Sequence, residues 1–163
     1  MTRQIHLTQG RYALVDDSDY PWLMRWKWYY ASGYAVRMRK VSEGPRKAIK
    51  MHAVINKTPP GLFTDHINGN RLDNRKQNLR SVTVKENGYN RKPNKTGSSK
   101  FKGVSYAKAY KKWKVMIMKD QKSRYLGMFD DEIQAAMAYN LAAADLFQNH
   151  ARLNRIAPGD INI

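Results

Sequence analysis

An Asp-His pair at residues 65 and 66, followed by an Asn 22 residues after the Asp, is the strongest chemical signal in this 163-residue chain. Hydrolysis of a phosphodiester needs a base that activates water and a divalent cation that neutralises charge on the phosphate. An imidazole with an ordinary pKa near ~6.5 can be that base, and His66 supplies one. Oxygens of Asp65 and Asn87 can ligate a hard cation. These residue types predict a one-metal site that cuts phosphodiester bonds.

A short helix must present the Asn of this site. Thr83 and Glu86 form a T-x-x-E capping box, so we expect a helix to begin near Val84 and to carry Asn87 in its first turns. Asn90 lies three residues further on and shares that helical face. Asn90 is therefore a candidate for supporting the site.

A polar loop should separate the Asp-His pair from the helix. Residues 67–78, INGNRLDNRKQN, are rich in Asn, Gly and Asp, which favour left-handed and Asx-turn conformations and predict an ordered loop. Asn74 and Asn78 are expected to tie this loop together. Before it, KMHAVI at 50–55 predicts a hydrophobic strand that contains His52. A half-buried histidine that braces the site and a second catalytic histidine both fit that position.

The Asp-His pair, the Asn-rich loop and the capped helix together resemble the HNH (ββα-metal) endonuclease family, in the branch of phage and intron-encoded homing enzymes. The resemblance implies that His66 is the general base. It also implies that Asp65 and Asn87 hold the metal, and that Asn78, or alternatively Asn74, is the middle Asn that braces the loop. An inactivated nuclease fold would keep the same residues.

The metal and the compartment follow from composition. The chain has no cysteine, which excludes disulfides and thiolate zinc sites, and only four histidines, which disfavours a His-rich zinc site. We therefore expect an oxygen-ligated Mg²⁺, with Mn²⁺ as the alternative. The opening MTRQIHLTQG lacks an apolar signal-peptide core, and no apolar run approaches the ~18 residues that span a bilayer. We expect a cytoplasmic protein of a bacterial or phage-infected cell, with no membrane partner.

The charge distribution points to a nucleic-acid partner. The chain has 30 Lys and Arg against 13 Asp and Glu, a formal net charge of +17 and a pI near 10.2, as expected for a protein that binds a phosphate backbone. Residues 71–124 contain 17 basic and 3 acidic side chains, with aromatic residues interleaved. Duplex DNA is the expected partner. A structured-RNA binder and a merely solvated basic surface are the alternatives.

The pattern changes twice along the chain, which predicts an α+β protein of several modules. Residues 1–90 form a β-rich N-terminal segment joined to the nuclease motif at 50–90. Residues 91–100, RKPNKTGSSK, have no apolar side chain and form a basic linker, which is either a flexible tether or a segment that follows DNA. A second module occupies 101–154, and a tail occupies 155–163.

The second module reads as three strands and a helix. FKGVSY, WKVMIMK and SRYLGMF predict short antiparallel strands, and the middle one alternates apolar and basic or Met side chains. Asp130, Asp131 and Glu132 supply an N-cap and first-turn acids for a helix through IQAAMAYNLAAADLF. Its many alanines allow close packing on the sheet. A scaffold that only stiffens the nuclease would fit the same pattern.

This module resembles the ethylene-response-factor (APETALA-two type) DNA-binding domain, through K-G-V near its start, Y-L-G-x-F at 125–129, A-A-x-A-Y at 135–139 and A-R-L-N at 151–154. The resemblance implies that the exposed sheet face enters the major groove. Ser105 and Met118 stand where that family has Arg, so the target sequence cannot be transferred. The candidate DNA contacts in the linker and on the sheet are Arg91, Lys92, Lys95, Lys100, Lys102, Ser105, Lys114, Met116, Met118, Ser123 and Tyr125.

The two motifs together predict a metal-dependent HNH homing-type endonuclease that hydrolyses duplex DNA. Each active site should nick one strand, so a homodimer is expected if both strands are cut. The alternative is a sequence-specific DNA-binding regulator with an inactive nuclease fold. Tight binding without cleavage under any divalent metal would identify that regulator.

Overall fold

The computed structural model describes residues 1–90, 96–157 and 159 and divides the chain into two units, Met1–Asn87 and Gly88–Ile163. Both units mix helices and strands, which confirms the predicted α+β class. The strands are β1 Thr2–His6, β2 Tyr12–Asp16, β3 Tyr29–Ala31, β4 Tyr34–Met38, β5 Ala48–Lys50, β6 Phe63–His66, β7 Leu79–Val82, β8 Val104–Ala107, β9 Lys112–Lys119 and β10 Lys122–Phe129. The helices are α1 Tyr20–Leu23, α2 Met51–Asn56, α3 Val84–Tyr89 and α4 Glu132–Phe147. In the described residues, no helix is long and apolar enough to cross a membrane.

The N-terminal unit contains two antiparallel hairpins, β1–β2 and β6–β7, and a small sheet in the order β3-β4-β5. Alternate residues of β2 point inward, so Ala13 and Val15 are fully buried. They pack with apolar side chains from the other elements into one core, which comprises Ile5, Leu7, Ala13, Val15, Leu23, Trp28, Ala35, Met51, Ile55 and Leu79.

The predicted strand at 50–55 is wrong, because the segment folds as helix α2. Met51 and Ile55 are four residues apart and both buried, which is the spacing of one helical face. A short apolar run cannot be assigned to helix or strand from periodicity alone. The helix turns His52 into the interior as well.

The first hairpin holds the polar loop that follows β6. The Leu14 amide donates to the Leu72 carbonyl at 2.8 Å, and the Asn74 amide donates to the Leu14 carbonyl at 2.8 Å. Leu14 and Asp73 thereby form a parallel bridge. The loop is thus fixed along the outer edge of β2 rather than only at its own ends.

The β6–β7 hairpin leads directly into α3. The Thr83 amide donates to Glu86 Oε2 at 2.8 Å, and the Glu86 amide donates to Thr83 Oγ1 at 3.2 Å. This reciprocal pair is the predicted capping box, and α3 begins at Val84 as expected. The capped helix carries Asn87.

The C-terminal unit is an antiparallel sheet in the order β10-β9-β8, with α4 packed on it. Val115 and Ile117 of β9 are buried on the helix side, as the alternating pattern predicted. The Asp131 carboxylate caps α4 by accepting the Gln134 amide at 2.8 Å. At the other end of α4, the Lys119 ammonium donates to the Leu146 carbonyl at 3.1 Å.

Two further contacts close the C-terminal unit. Gly103 has φ +77°, and a Cβ there would lie 2.6 Å from the Met116 carbonyl oxygen and closer still to the Tyr139 ring, so only glycine fits. The Asn154 side chain accepts from the Lys102 amide at 2.7 Å and donates to the Lys102 carbonyl at 3.1 Å. A residue near the start of the 101–154 module is thereby bonded to the residue at its end.

Candidate functional site

Asp65 and His66 are the last two residues of β6, and both are buried. Asp65 lies opposite Arg80 in the hairpin register, and the Arg80 Nε and Nη2 both donate to Asp65 Oδ2, at 3.1 and 2.8 Å. The two side chains are 10% and 15% exposed, so this is a largely buried ion pair. The sequence analysis missed Arg80, whose role depends on a strand register that the residues between 66 and 79 do not reveal.

The His66 imidazole faces the loop side chain of Asn74. His66 Nε2 lies 3.3 Å from Asn74 Oδ1, and Asn74 Nδ2 donates to the Leu72 carbonyl at 3.2 Å. Because the amide nitrogen is committed to Leu72, the oxygen faces His66 and the Nε2–H is the donor. A neutral imidazole in this tautomer carries its lone pair on Nδ1. In this tautomer, the ring nitrogen that can accept a proton is therefore Nδ1.

Asn78, which the resemblance gave as the first choice for the middle Asn that braces the loop, makes two hydrogen bonds within that loop. Its Oδ1 accepts the Asn68 amide at 3.0 Å, and its Nδ2 donates to the Asp73 carbonyl at 2.8 Å. It therefore braces the loop. Asn74, the second choice for the middle position, contacts His66. Both asparagines are buried, and Asn74 is only 1% exposed.

Asp73 is the central carboxylate of the loop, and the sequence analysis did not single it out. Arg75 donates to it through Nε at 2.8 Å and Nη2 at 2.7 Å, and Asn68 Nδ2 donates at 2.9 Å. The Arg75 hydrogen bonds hold the pKa of Asp73 below its usual range, against the opposing effect of burial. The Asp-x-Arg spacing was the available signal, because an acid two residues before an Arg can close an Asx-type turn.

His52 packs against the predicted base. Its ring centroid lies 4.9 Å from that of His66 and 5.0 Å from that of Tyr34, both edge to face. Burial lowers the pKa of His52 to about 3, helped by the charges of His66, Lys50 and Arg71. This bracing position is one of the two alternatives that the sequence left open.

His66 is also kept neutral near physiological pH. Burial lowers its pKa, although the hydrogen bond that His66 donates to Asn74 and the charge of Asp65 oppose the shift. A buried neutral imidazole with one nitrogen engaged as a donor has the properties that a general base needs. The environment suits the role that the sequence predicted for this residue.

Of the two remaining asparagines of the motif, one lies within α3 and the other just after it. Asn87 is exposed in α3, in the N-terminal unit. Asn90 follows α3 and belongs to the C-terminal unit. The sequence analysis grouped the two on one helical face, whereas α3 ends at Tyr89 before Asn90 is reached.

The donor set fits a hard divalent cation that uses few protein ligands. Among the described residues, no three His, Cys, Asp or Glu side chains cluster as they would in an all-protein metal cage. Mg²⁺ binds in the other way, through one or two protein oxygens, waters and substrate phosphates. The predicted ligands, the Asp65 carboxylate and the Asn87 amide oxygen, are of the types that this mode uses. Arg80 shares the Asp65 carboxylate and would compete with such an ion for it.

The candidate DNA contacts of the C-terminal unit lie mostly on one sheet face. Three cross-strand pairs of the register share the face opposite the buried Val115 and Ile117. These pairs are Ser105–Lys114, Met116–Tyr125 and Met118–Ser123. Met118 is 64% exposed, so this face is open to solvent.

The basic candidates near the linker are placed differently. The Lys102 ammonium donates to the Tyr89 carbonyl at 2.5 Å, which engages it within the unit. The Lys100 ammonium lies 5.1 Å from the Phe101 ring centroid. Arg91, Lys92 and Lys95 lie outside the described residues.

Comparison with known proteins agrees with the site's location. Residues 57–89 match a family model described as HNH endonuclease. A protein of Acanthamoeba polyphaga mimivirus, named as an uncharacterized HNH endonuclease, is 32% identical over 149 residues, which cover 91% of this chain and 77% of that protein. Protein 3.8 of Escherichia phage T7 is 37% identical over 73 residues, which cover 44% of this chain and 60% of that protein. No solved structure matches.

Proposed function

Because the chain belongs to the HNH endonuclease family and is therefore a nuclease, we propose that it is a metal-dependent enzyme of the homing type that hydrolyses duplex DNA. Each chain provides one His66, so each site cuts one strand, and a homodimer would be needed for a concerted double-strand cut. The observation that carries the proposal is the buried His66–Asn74 pair next to the Asp65 carboxylate.

The chemical step starts at His66. Its Nδ1 takes a proton from water as the water oxygen bonds to phosphorus, and the bond from phosphorus to the 3′ oxygen breaks. The 3′ oxygen then takes a proton from solvent, which leaves a 3′ hydroxyl and a 5′ phosphate. Asn74 keeps the imidazole in the tautomer that this step needs, and its own position is fixed through Leu14.

Asp65 and Asn87 are the residues that would hold the divalent cation, with Mg²⁺ the proposed ion and Mn²⁺ the alternative. The chemistry that the cation supplies when bound is neutralisation of charge on the phosphate and on the leaving oxygen. Arg80 holds the Asp65 carboxylate in place through two hydrogen bonds to the same oxygen.

The C-terminal unit is proposed to bind the duplex through the sheet face that carries Lys114, Met116, Met118 and Tyr125. Its three-stranded sheet backed by one helix supports the resemblance to the ethylene-response-factor type domain. Basic and aromatic side chains on an open strand surface can contact phosphates and base edges. The linker at 91–100 would add further phosphate contacts. The proposed location is the cytoplasm of a bacterial or phage-infected cell, which the viral origin of both relatives supports.

Cleavage of supercoiled plasmid tests the nuclease. Wild type should produce nicked circles with Mg²⁺ or Mn²⁺ and none with chelator, whereas His66→Ala should cut at least about 100-fold more slowly. His6→Ala is the matched control, because His6 is exposed in β1 of the same unit. Undiminished cutting by His66→Ala would reject the base. Retarded but intact plasmid in every lane would favour the DNA-binding regulator.

An added negative charge tests the binding face. Met118→Glu should weaken binding of the full chain to duplex DNA by about 10-fold, because it places an anion among the proposed phosphate contacts. Met137→Glu is the control, since Met137 is 52% exposed on α4, away from that face. Equal effects of the two substitutions would remove the sheet face from the proposal. Competition with duplex RNA at matched salt separates DNA from RNA as the partner.

A further inference from the structure

Two cations share one aromatic ring beside the histidine pair. The Lys50 ammonium lies 4.6 Å from the Tyr34 ring centroid, and the Arg71 guanidinium carbon lies 4.7 Å from the same centroid. Tyr34 in turn packs against His52 at 5.0 Å and His66 at 6.2 Å between ring centroids. The Tyr34 ring therefore contacts two positive charges and also packs near His66, the predicted base.

These two cations have no carboxylate partner among the described residues. The acids closest to the site are committed elsewhere, since Asp65 pairs with Arg80 and Asp73 pairs with Arg75. Lys50 and Arg71 are exposed at their ends, so the solvent side of the histidine pair carries net positive charge. The electrostatic effect of Arg71 on both imidazoles agrees with its closeness to them. An arrangement of this kind favours an anion.

Arg71 is also held in a set direction. It belongs to the site loop, and its Nη1 donates to the Ser32 carbonyl at 3.4 Å. At Gly33, which has φ +89°, a Cβ would lie 3.4 Å from both Cδ and Nη1 of Arg71, so the guanidinium lies across the β3–β4 turn. Lys50 is fixed from the other side, as the last residue of β5 and the residue before α2. The Arg71 guanidinium is thus oriented by the β3–β4 turn, whereas the Lys50 ammonium is placed by its contact with the Tyr34 ring.

We propose that Lys50 and Arg71, held on Tyr34, bind the DNA phosphate that is presented to His66. The inference rests on the proposed function for its substrate and extends it by assigning two substrate-contacting residues. A guanidinium can bind a phosphate through two parallel hydrogen bonds, whereas an ammonium acts as a compact point charge. The pair would place the phosphorus next to the base and balance charge on the non-bridging oxygens.

The test has a binding arm that does not depend on cleavage. Duplex affinity of the full chain is measured in chelator over a range of salt, for wild type, Lys50→Gln and Arg71→Gln. Each neutral variant should reduce the slope of log affinity against log salt by about one, as expected for one lost phosphate contact. Arg25→Gln and Lys57→Gln are matched controls, because both are exposed cations of the same unit. Arg71→Lys should retain most of the slope.

The cleavage arm uses single-turnover rates at saturating enzyme with Mg²⁺. Lys50→Gln and Arg71→Gln should cut at least about 10-fold more slowly, with the controls within about 2-fold of wild type. Unchanged slopes in the site variants, or equal losses in the controls, would overturn the inference whether or not wild type cuts. A slower rate with an unchanged slope would also overturn it, because the residues would then act through Tyr34. If the wild type never cuts DNA but Lys50→Gln and Arg71→Gln still reduce the salt slope, the phosphate site stands and the nuclease proposal is rejected.

Discussion

The two units bury different kinds of side chains. Among the described residues, the buried polar or charged side chains of the N-terminal unit are Asp19, Arg37, His52, Asp65, His66, Asp73, Asn74 and Asn78, whereas the C-terminal unit buries Ser99 alone. A buried polar group costs free energy unless it is hydrogen-bonded. Around the site, the N-terminal unit offsets that cost with hydrogen bonds among Asp65, His66, Asp73, Asn74, Asn78 and their neighbours, and the C-terminal unit avoids it with an apolar core. The difference predicts distinct responses to substitution and to pH.

The largest expected effect is in the tightly packed C-terminal unit. Gly103→Ala should lower the free energy of unfolding of this unit by about 3 kcal/mol, because the added methyl group would overlap the Tyr139 ring and approach the Met116 carbonyl. Hydrogen exchange of the β9 amides in the full chain measures the loss. Gly88→Ala is the control, since nothing lies within 4 Å of its added Cβ. If both variants exchange like wild type, the packing at Gly103 is not as tight as described.

A second effect in the same unit concerns a polar contact. Asn154→Ala should cost about 2 kcal/mol, because it leaves both the amide and the carbonyl of Lys102 without their side-chain partner. Asn154→Asp keeps the acceptor and loses the donor, so it should cost about half as much. Denaturant unfolding of the full chain gives both values. A larger loss in the Asp variant than in the Ala variant would contradict this account.

The N-terminal unit should be the pH-sensitive one. The unfolded chain protonates His52 near pH ~6.5, but the folded unit does so only near pH 3, so the unfolded state binds more protons between these values. Its stability should therefore fall by roughly 1 to 2 kcal/mol as the pH drops from ~6.5 to ~5. Urea unfolding over a pH series measures this. His52→Gln should flatten the dependence, and His6→Gln should leave it as in wild type.

The smallest effect separates two roles within the polar network. Asn74→Ala should lower the cleavage rate at saturating DNA by about 10-fold with little change in KM, because the imidazole loses its fixed tautomer. Asn78→Ala should mainly destabilise the loop, by about 1 to 2 kcal/mol, because the Asn68 amide and the Asp73 carbonyl lose their partner. If the two variants lose cleavage rate in the same proportion to their loss of stability, the two asparagines do not differ in role.

The sequence predicted the C-terminal elements well for a physical reason. The alternation in β9 and the acidic N-cap before α4 are local signals: the first indicates which side chains face the core, and the second indicates where the helix begins. The capping box at Thr83 was predictable for the same reason, because both partners lie within one turn.

The polar site was predictable in residue type but not in contacts. The choice between Asn74 and Asn78 depends on the loop's pairing with Leu14, which is more than fifty residues away along the chain. The Arg80 partner of Asp65 depends on strand register, and Tyr34 reaches the histidines only after β4 is placed. The assignment of residues 50–55 failed because a six-residue apolar run has no decisive period.

The hydrogen bonds between Lys102 and Asn154 hold the two ends of the 101–154 module close together. A domain whose two ends meet can interrupt a surface turn of another protein without separating the flanking residues. For the same reason its termini can be joined and the chain reopened elsewhere, for example at the β9–β10 turn. The Lys102–Asn154 hydrogen bonds therefore make this module suitable for insertion into another protein and for circular permutation.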